Sequence, residues 1–304
     1  MDAPGHVWCD GRLLPSAGPH LSAFDRAFQL GDGVFETLRA VAGSPVELAA
    51  HARRLVRSAV GLSIPLPLGA SDADGVEVML ASAIAEVLAA EGLDAPTGDA
   101  AIRVTLSRGA PAVRGLLVPE GTTPTLVVQA WPTVPAAAAH LERGLHLVVS
   151  SVRRDPAHPL TALKTTSRAE TIFARLEAKA AGADDALLLT LDGLASESTT
   201  ANLFIVRGDE LATPALDCAI LPGTTRDWLL AWAPGVGLQP AETWLRPHDV
   251  EQADEAFLCS SVAGVLPVTR LGDVPIGDGL PGRWSRRARA EREAHVRALA
   301  GADR

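Results

Sequence analysis

Lys164 is one of only two lysines among 27 basic residues, and the other is Lys179. A composition that favours arginine makes a retained lysine a candidate for amine chemistry, because a guanidinium group cannot act as a neutral nucleophile at ordinary pH. Lys179 lies inside a predicted helix, where a solvated lysine is expected. Lys164 instead follows an apolar turn, with no acidic residue close by in the sequence. Desolvation there would favour the neutral amine, so we predict that Lys164 attacks an aldehyde; chance retention is the alternative.

Glu197 is a second candidate, because it follows a predicted hairpin and is surrounded by small and hydroxylated residues. A carboxylate at the end of a strand can simply be a solvated edge residue. It can also pair with a pyridinium nitrogen and keep that ring protonated and electron-withdrawing. The residues alone leave both interpretations open.

The segment LPGTTRDW predicts a phosphate site, because Gly223, Thr224 and Thr225 stand where a helix begins. Free amides at a helix N-terminus and two hydroxyl groups can bind a phosphate, although a threonine N-cap is the simpler alternative. Arg54 lies on a predicted helix and could bind the same anion or belong to an exposed basic face. A lysine, a ring carboxylate, a phosphate cradle and an arginine are together what a pyridoxal 5'-phosphate (PLP) site requires.

Short strands and helices in both halves of the chain must position these residues. Periodicity, turn residues and helix-capping residues predict them. The strands that bear on the candidate residues are predicted over 33–41, 101–107, 125–131, 145–152, 186–190, 194–198 and 202–206. The corresponding helices are predicted over 48–60, 72–91, 166–181, 223–233 and 283–300.

The domain organisation follows from a segment rich in Gly and Pro over 108–124, which lacks periodicity and predicts an interdomain connection. We therefore expect an α+β chain of two domains. The smaller, N-terminal α/β domain would span 1–118. The larger, C-terminal domain would span 119–304, bind PLP and have a mainly β core flanked by helices.

The composition excludes several classes of protein. The net charge of −9 disfavours a nucleic-acid partner. No apolar run approaches the roughly 20 residues of a membrane span, and the N-terminal residues lack the pattern of a signal peptide. The three cysteines are widely spaced, which fits neither a disulfide framework nor a metal site, so we expect a cytoplasmic protein without a bound metal.

At the candidate residues the chain resembles the class IV aminotransferases, the fold-type IV PLP enzymes. That family includes branched-chain and D-amino-acid transaminases, (R)-selective amine transaminases and 4-amino-4-deoxychorismate lyase. The resemblance extends over nearly the whole chain. Its motifs, in order, are LGDGVFETLR, HARRLVRSA, IRVTLSRG, Lys164 before a helix, SESTTANLF, LPGTTRDWLL and ADEAFLCSSVAGVLPV.

The resemblance assigns roles to the candidate residues. It implies that Lys164 forms the internal aldimine with PLP and moves the proton, while Glu197 binds the pyridine nitrogen. It also implies a homodimer with active sites near the subunit boundary. The phosphate would be held by Arg54, Thr224, Thr225 and Ser261.

The branch of the family is less sharply defined by the motifs. Ala169 stands where branched-chain transaminases carry a tyrosine. Phe35 stands where D-amino-acid transaminases have a tyrosine, and Arg114 begins Arg-Gly-Leu where they have Arg-X-His. Thr37 and Arg168 resemble residues of the deoxychorismate lyases.

Three arginines could contact the substrate or the ring. Arg39 and Arg114 could bind an α-carboxylate through two hydrogen bonds each, which favours an acid substrate over a simple amine. Arg168 could donate to the ring phenolate in place of the missing tyrosine. For each of these arginines a structural salt bridge is the alternative.

The first hypothesis is a transaminase that moves an amino group between an amino acid, expected to be D-configured, and a 2-oxo acid. The close alternative is the lyase that releases pyruvate and 4-aminobenzoate from aminodeoxychorismate, with Thr37 as the proton donor. A branched-chain or (R)-amine transaminase is a further alternative. A non-catalytic PLP-binding protein would not require both Lys164 and Glu197.

Overall fold

The structure is a computed structural model that describes residues 5–113, 115–134 and 138–301. The chain has an α+β architecture and divides into two compact units. The first unit consists of Met1–Val134, Leu163–Arg168 and His295–Arg304, and the second consists of Pro135–Ala162 and Ala169–Ala294. Among the described residues, no helix combines the length and the apolar character needed to cross a membrane.

The first unit is built on a six-stranded sheet in the order β2-β1-β6-β5-β3-β4, and all neighbouring strands are antiparallel. Strands β1 to β6 span His6–Cys9, Arg12–Pro15, Gly33–Val41, Ser44–Pro45, Asp99–Ser107 and Thr125–Pro132. Helices α1 to α3 span Arg26–Leu30, Leu48–Gly61 and Ala73–Ala90, and a 3₁₀ turn spans Pro67–Gly69.

Strand β3 presents two chemically different faces, because successive side chains of a strand point to opposite sides. Val34 and Leu38 are fully buried in one hydrophobic core with Leu55 of α2 and Leu80 of α3. The other face carries Phe35, followed by Thr37 and Arg39, and the residues of β5 that alternate with its core positions are only half-buried. This open face is where the first unit can offer polar side chains to a ligand.

The first unit continues to Val134, beyond the domain end that the sequence predicts at 118. The reason is β6, which pairs with β5 along its whole length and also with β1. The Gly- and Pro-rich segment 108–124 therefore connects two strands of one sheet. Its composition indicates a loop but cannot show what the loop joins.

The second unit contains a nine-stranded mixed sheet in the order β12-β11-β10-β13-β14-β7-β8-β9, with β15 on β14. Strands β7 to β15 span Leu145–Arg154, Asp185–Thr190, Ala195–Ser198, Asn202–Arg207, Glu210–Pro214, Gln239–Thr243, Glu255–Ser260, Gly264–Leu271 and Val274–Pro275. Helices α4 to α8 span Ala138–Arg143, Ala169–Ala180, Thr224–Trp232, Pro247–Glu251 and Arg283–Leu299, with 3₁₀ turns at Leu216–Cys218 and Ala233–Val236. The last residues of α8, from His295, belong to the first unit.

Parallel pairing in the second unit brings distant segments side by side. Strand β7 pairs in parallel with both β14 and β8, and β8 pairs antiparallel with β9. Strands β7 and β9 are therefore separated only by β8. This places side chains at the end of β7 within reach of β9, some 40 residues later in the chain.

Candidate active site

The segment that carries Lys164 is held in an extended conformation against the start of β3. Thr165 forms an antiparallel bridge with Val34. The N–H of Phe35 donates to the carbonyl of Lys164 at 2.9 Å. Because this pairing needs extended backbone, the helix predicted from 166 begins only at Ala169.

Gly33 permits the close approach of the two segments. Its carbonyl accepts a hydrogen bond from the N–H of Thr166 at 2.9 Å. A Cβ at position 33 would lie 2.9 Å from the carbonyl oxygen of Leu106, closer than such atoms normally come. On the other side of the segment, the N–H of Lys164 donates to the Ser58 hydroxyl at 3.1 Å. The backbone on both sides of the lysine is therefore fixed.

Three cations surround the ring of Phe35 on the open face of the sheet. The guanidinium carbon of Arg103 lies 3.5 Å from the ring centroid, and the Lys164 Nζ lies 4.6 Å from it. Arg168 is more distant, at 5.9 Å. Aromatic faces attract cations at such distances, so Phe35 helps to hold a positive cluster together.

Arg103 differs from most buried arginines of the chain because no carboxylate of the described residues forms an ion pair with it. Its Nε donates to the Thr105 hydroxyl at 3.3 Å. Burial, together with the charge of Arg168, lowers the pKa of Arg103 to about 10. The guanidinium group therefore stays charged at neutral pH and is available to a negatively charged ligand.

Thr37 and Arg39 lie on the same face of β3, but their surroundings differ. Thr37 stands directly opposite Arg103 on β5. Arg39 forms a two-pronged ion pair with Asp99, in which Nε donates to Oδ1 at 2.7 Å and Nη2 donates to Oδ2. For Arg39 the sequence allowed either substrate binding or a structural salt bridge. The structure shows the salt bridge, so we do not propose Arg39 as a substrate ligand.

Arg54 lies on the buried face of α2 in a cluster with Glu36 and His51. Its Nε and Nη2 donate to the two oxygens of Glu36 at 2.7 and 2.6 Å. The Nδ1 of His51 lies 2.8 Å from Glu36 Oε2. Burial alone would raise the pKa of Glu36, but the hydrogen bonds and charge of Arg54, aided by His51, outweigh it and hold the pKa at about 2. The phosphate-binding role of Arg54 stays a prediction.

In the second unit, Glu197 on β9 is surrounded by hydrogen-bond donors. Its Oε1 accepts from Nη1 of Arg154, and its Oε2 accepts from Nδ2 of Asn202 and from the N–H of Leu221, both at 3.1 Å. Three donors suit an ionised carboxylate, which is an acceptor only. Hydrogen bonds to both oxygens therefore fix the orientation of the Glu197 carboxylate.

The predicted phosphate cradle lies next to this carboxylate in the second unit. Asn202 links the two, because a Cβ at Gly223 would meet its Oδ1 at 2.1 Å. Helix α6 begins at Thr224, and no side chain caps its first turn. The Thr224 hydroxyl lies 3.2 Å from that of Ser261.

Thr225 provides a test of whether the cradle fits an anion. Its hydroxyl oxygen is buried and has no hydrogen-bond partner among the described residues. A buried unsatisfied hydroxyl is costly, and a phosphate oxygen at the start of α6 would satisfy it. The residues present therefore fit a phosphate group.

The structure brings the predicted residues together in two groups. The first unit contains Phe35, Thr37, Arg39, Arg54, Lys164 and Arg168, and the second contains Glu197, Thr224, Thr225 and Ser261. Arg114 lies outside the described residues.

The sequence does not single out Arg103, Arg154 or Asn202, although Arg103 and Asn202 each occur in one of the quoted motifs. Alternation along the strand predicted over 101–107 would have placed Arg103 on the same face as Phe35 only once the strand pairing was known. No sequence signal joins Arg154 to Glu197.

Comparison with known proteins identifies the family. The family described as Amino-transferase class IV matches residues 33–271, which is most of the chain. The chain belongs to the class IV aminotransferases. As a class IV aminotransferase it is an enzyme that uses PLP, and the fold is that of the fold-type IV PLP enzymes.

The named relatives of this class IV aminotransferase include several activities. A Methanocaldococcus jannaschii protein named "Putative branched-chain-amino-acid aminotransferase" is 33% identical over 87% of this chain and 87% of its own length. The aminodeoxychorismate lyase of Bacillus subtilis is 27% identical over 89% of this chain and 88% of its own. The D-alanine aminotransferase of Bacillus licheniformis is 28% identical, covering 91% and 92% of the two chains.

Solved structures of aminotransferases have the same fold as this chain. The branched-chain amino acid aminotransferase of Escherichia coli superposes with a TM-score of 0.87 at 26% identity, covering 97% of this chain and 95% of its own. A T.th. branched-chain amino acid aminotransferase, solved with pyridoxamine 5'-phosphate, gives 0.87 at 28% identity, with coverage of 99% and 96%. The relatives therefore establish the family and the fold, but they differ in what they act on.

We predict that Glu36→Gln destabilises the first unit, because it leaves the buried guanidinium of Arg54 without a counter-charge. The free energy of unfolding at pH 7 should fall by about 3 kcal/mol. Since the pKa of Glu36 is held at about 2, below its ordinary value of 4.5, the charged carboxylate stabilises the fold above pH 4.5. Its contribution is lost as the pH falls from 4.5 towards 2, so the difference between the two proteins should narrow over that range.

Urea unfolding followed by circular dichroism at several pH values measures both effects. Glu86→Gln is the matched control, because Glu86 lies exposed on α3 and its substitution should change little. Equal stability of Glu36→Gln and the parent protein at pH 7 would contradict the assignment.

Proposed function

We propose that this class IV aminotransferase moves an amino group between an amino acid, expected to be D-configured, and a 2-oxo acid. The observation that carries the proposal is Arg103, a charged, half-buried guanidinium group on the same aromatic ring as Lys164 and without a carboxylate partner among the described residues. Amino acids and 2-oxo acids share a carboxylate, the group that such an arginine binds best. The D-configuration is an expectation from the sequence, in which Ala169 stands where branched-chain transaminases carry a tyrosine and Phe35 stands where D-amino-acid transaminases carry one.

Different residues are proposed to hold the aldehyde, the pyridine nitrogen and the phosphate of PLP. Lys164 binds the PLP aldehyde through Nζ, and Glu197 accepts a hydrogen bond from the pyridine nitrogen. When bound, PLP supplies an electron-withdrawing ring that stabilises negative charge at the carbon bearing the substrate amino group. The proposed phosphate ligands are Arg54, Thr224, Thr225 and Ser261.

The Lys164 amine would serve as the base that removes the proton from the substrate α-carbon. Its fixed backbone keeps that amine in a constant position. Arg168 is the proposed donor to the ring hydroxyl oxygen, and Arg103 holds the substrate carboxylate. The positive cluster around Phe35 therefore attracts an anionic substrate to the reacting amine.

The role of Lys164 predicts that Lys164→Ala removes the visible absorbance of PLP bound to the protein, because the alanine cannot bond the aldehyde. Lys179→Ala is the matched control, since Lys179 is the only other lysine and lies exposed on α5. Absorption spectra of the purified proteins after addition of PLP and gel filtration provide the measurement. A colourless parent protein that does not respond to PLP would refute the assignment.

The substrate class is tested by mixing the PLP-loaded protein with single D- and L-amino acids in the absence of a 2-oxo acid. We expect a transaminase to convert the bound cofactor to pyridoxamine 5'-phosphate, most rapidly with D-amino acids. Arg103→Met should weaken apparent amino-acid binding by about tenfold, because a charge-assisted hydrogen bond to the carboxylate is lost. Arg57→Met, an exposed arginine on α2, is the control.

The outcomes separate the branches of the family. Conversion by L-branched-chain amino acids alone would replace the D-amino-acid assignment with the branched-chain one. Conversion of an (R)-amine that lacks a carboxylate, with no conversion by any amino acid, would favour the (R)-amine transaminase. Unchanged amino-acid binding in Arg103→Met would remove the proposed role of Arg103.

The second candidate function is the aminodeoxychorismate lyase, favoured by the position of Thr37 opposite Arg103 on the open face of the sheet. The Thr37 hydroxyl could donate the proton that the methylene group of the product requires. Formation of 4-aminobenzoate without conversion of the cofactor by any amino acid would support the lyase.

We also propose a homodimer, supported by an apolar surface on the first unit. Phe24, Phe28, Leu116 and Leu117 are 62% to 91% exposed, and Arg26 fixes the backbone of this region by donating to the carbonyl of Leu116. Such a patch on an enzyme surface is typical of an interface. The expected location is the cytoplasm, which is consistent with three buried free cysteines among the described residues.

Light scattering should therefore give twice the chain mass of 31.6 kDa. Leu117→Asp should shift the protein towards the monomer, because a charge in the interface must be desolvated. A parent protein that is monomeric at micromolar concentration would contradict the proposed dimer.

A further inference from the structure

We infer that Arg154 is a positioning residue that controls PLP binding through Glu197. The inference rests on the proposed role of Glu197 at the pyridine nitrogen. Arg154 would fix the orientation of the carboxylate and supply a positive charge beside it. It would thereby determine how firmly the ring nitrogen is held and protonated.

The contact is direct and largely screened from water. Nη1 of Arg154 donates to Oε1 of Glu197, and the two side chains are only 10% and 13% exposed. The other carboxylate oxygen receives neutral donors, namely Asn202 and the N–H of Leu221. Arg154 is thus the charged member of the group of donors around Glu197.

The location of Arg154 explains how it can hold this position. It ends β7, where its Cα is paired with that of Thr190 on β8, and its carbonyl accepts a hydrogen bond from the N–H of Leu191 at 3.0 Å. Glu197 lies on β9, on the other side of β8. Neighbouring strands are about 4.8 Å apart, so two strand spacings require a long side chain, which arginine provides.

The sign of the effect follows from electrostatics. A nearby cation favours the ionised form of a carboxylate, most strongly where water is excluded. An ionised Glu197 accepts the hydrogen bond of a protonated ring nitrogen. Without Arg154 the carboxylate would lose its charged donor and be held less firmly towards the ring nitrogen, so PLP would bind more weakly and in an altered environment.

A purely structural role accounts less well for the contacts of Arg154. Its Nη2 approaches the carbonyl of Thr161 only at 3.5 Å, the outer limit of a hydrogen bond. Its Nε is buried and has no partner among the described residues. An arginine retained only to anchor the backbone would be expected to satisfy these donors, whereas here the strong contact goes to Glu197.

The test compares five variants with the parent protein: Arg154→Met, Arg154→Lys, Glu197→Gln, the double variant Arg154→Met/Glu197→Gln, and Arg153→Met. Arg153 is the matched control, because it is the neighbouring arginine, is exposed, and donates to the backbone carbonyls of Ser150 and Val152. The readouts are the dissociation constant of PLP and the visible absorption maximum of bound PLP.

We expect Arg154→Met to weaken PLP binding by about tenfold and to shift the absorption maximum, as loss of a charge-assisted hydrogen bond implies. Arg154→Lys, which keeps the cation, should restore part of both properties. In the Glu197→Gln background, Arg154→Met should have no further effect, because its action passes through the carboxylate. Arg153→Met should behave like the parent.

The inference would be overturned if Arg154→Met bound PLP normally with an unchanged spectrum while Glu197→Gln was impaired, or if the two substitutions were additive. If Glu197→Gln itself bound PLP normally, the proposed assignment of Glu197 would fail first, which is a distinguishable result. If Arg154→Met did not fold, Arg154→Lys would replace it. A spectral shift in Arg154→Lys that persists in the Glu197→Gln background would then overturn the inference.

Discussion

The backbone pairing of Lys164 and its neighbours with the start of β3 is the constraint on which the site depends. It makes residues 163–168 part of the first unit, although the chain on either side of them belongs to the second. The Phe35 N–H donates to the carbonyl of the lysine itself, so the lysine side chain starts from a fixed point. The pairing also depends on two neighbouring residues, since Gly33 leaves room for the segment and the Ser58 hydroxyl accepts from the Lys164 N–H.

Around this fixed point, charge is distributed unevenly. Arg54 forms an ion pair with Glu36, and Arg39 forms one with Asp99. Arg103 shares the ring of Phe35 with Lys164 and has no such partner among the described residues. The ion pairs of Arg39 and Arg54 stabilise the fold, whereas Arg103, which is half-buried, creates a positive potential that attracts anions. The difference between the two kinds of arginine depends on their partners and not on their residue type.

The second unit contains the corresponding negative group, the carboxylate of Glu197. Glu197 is a partly buried carboxylate held by donors on both oxygens, and Asn202 connects it with the glycine that precedes α6. The carboxylate and the phosphate cradle are therefore parts of one hydrogen-bonded arrangement. A side chain at position 223 would collide with Asn202 and thereby disturb the hydrogen bond from Asn202 to Glu197.

The sequence by itself determined the family, which the ordered motifs identify, and two lysines among many arginines predict the role of Lys164. It also placed β3 over 33–41 and most helices to within a few residues, because local periodicity and capping residues encode them. Only the tertiary structure decided that Arg39 pairs with Asp99, that Arg103 has no carboxylate partner among the described residues, and that Arg154 contacts Glu197. These pairings join residues more than 40 positions apart across strands, and strand order and register are set by the whole sheet rather than by any local segment.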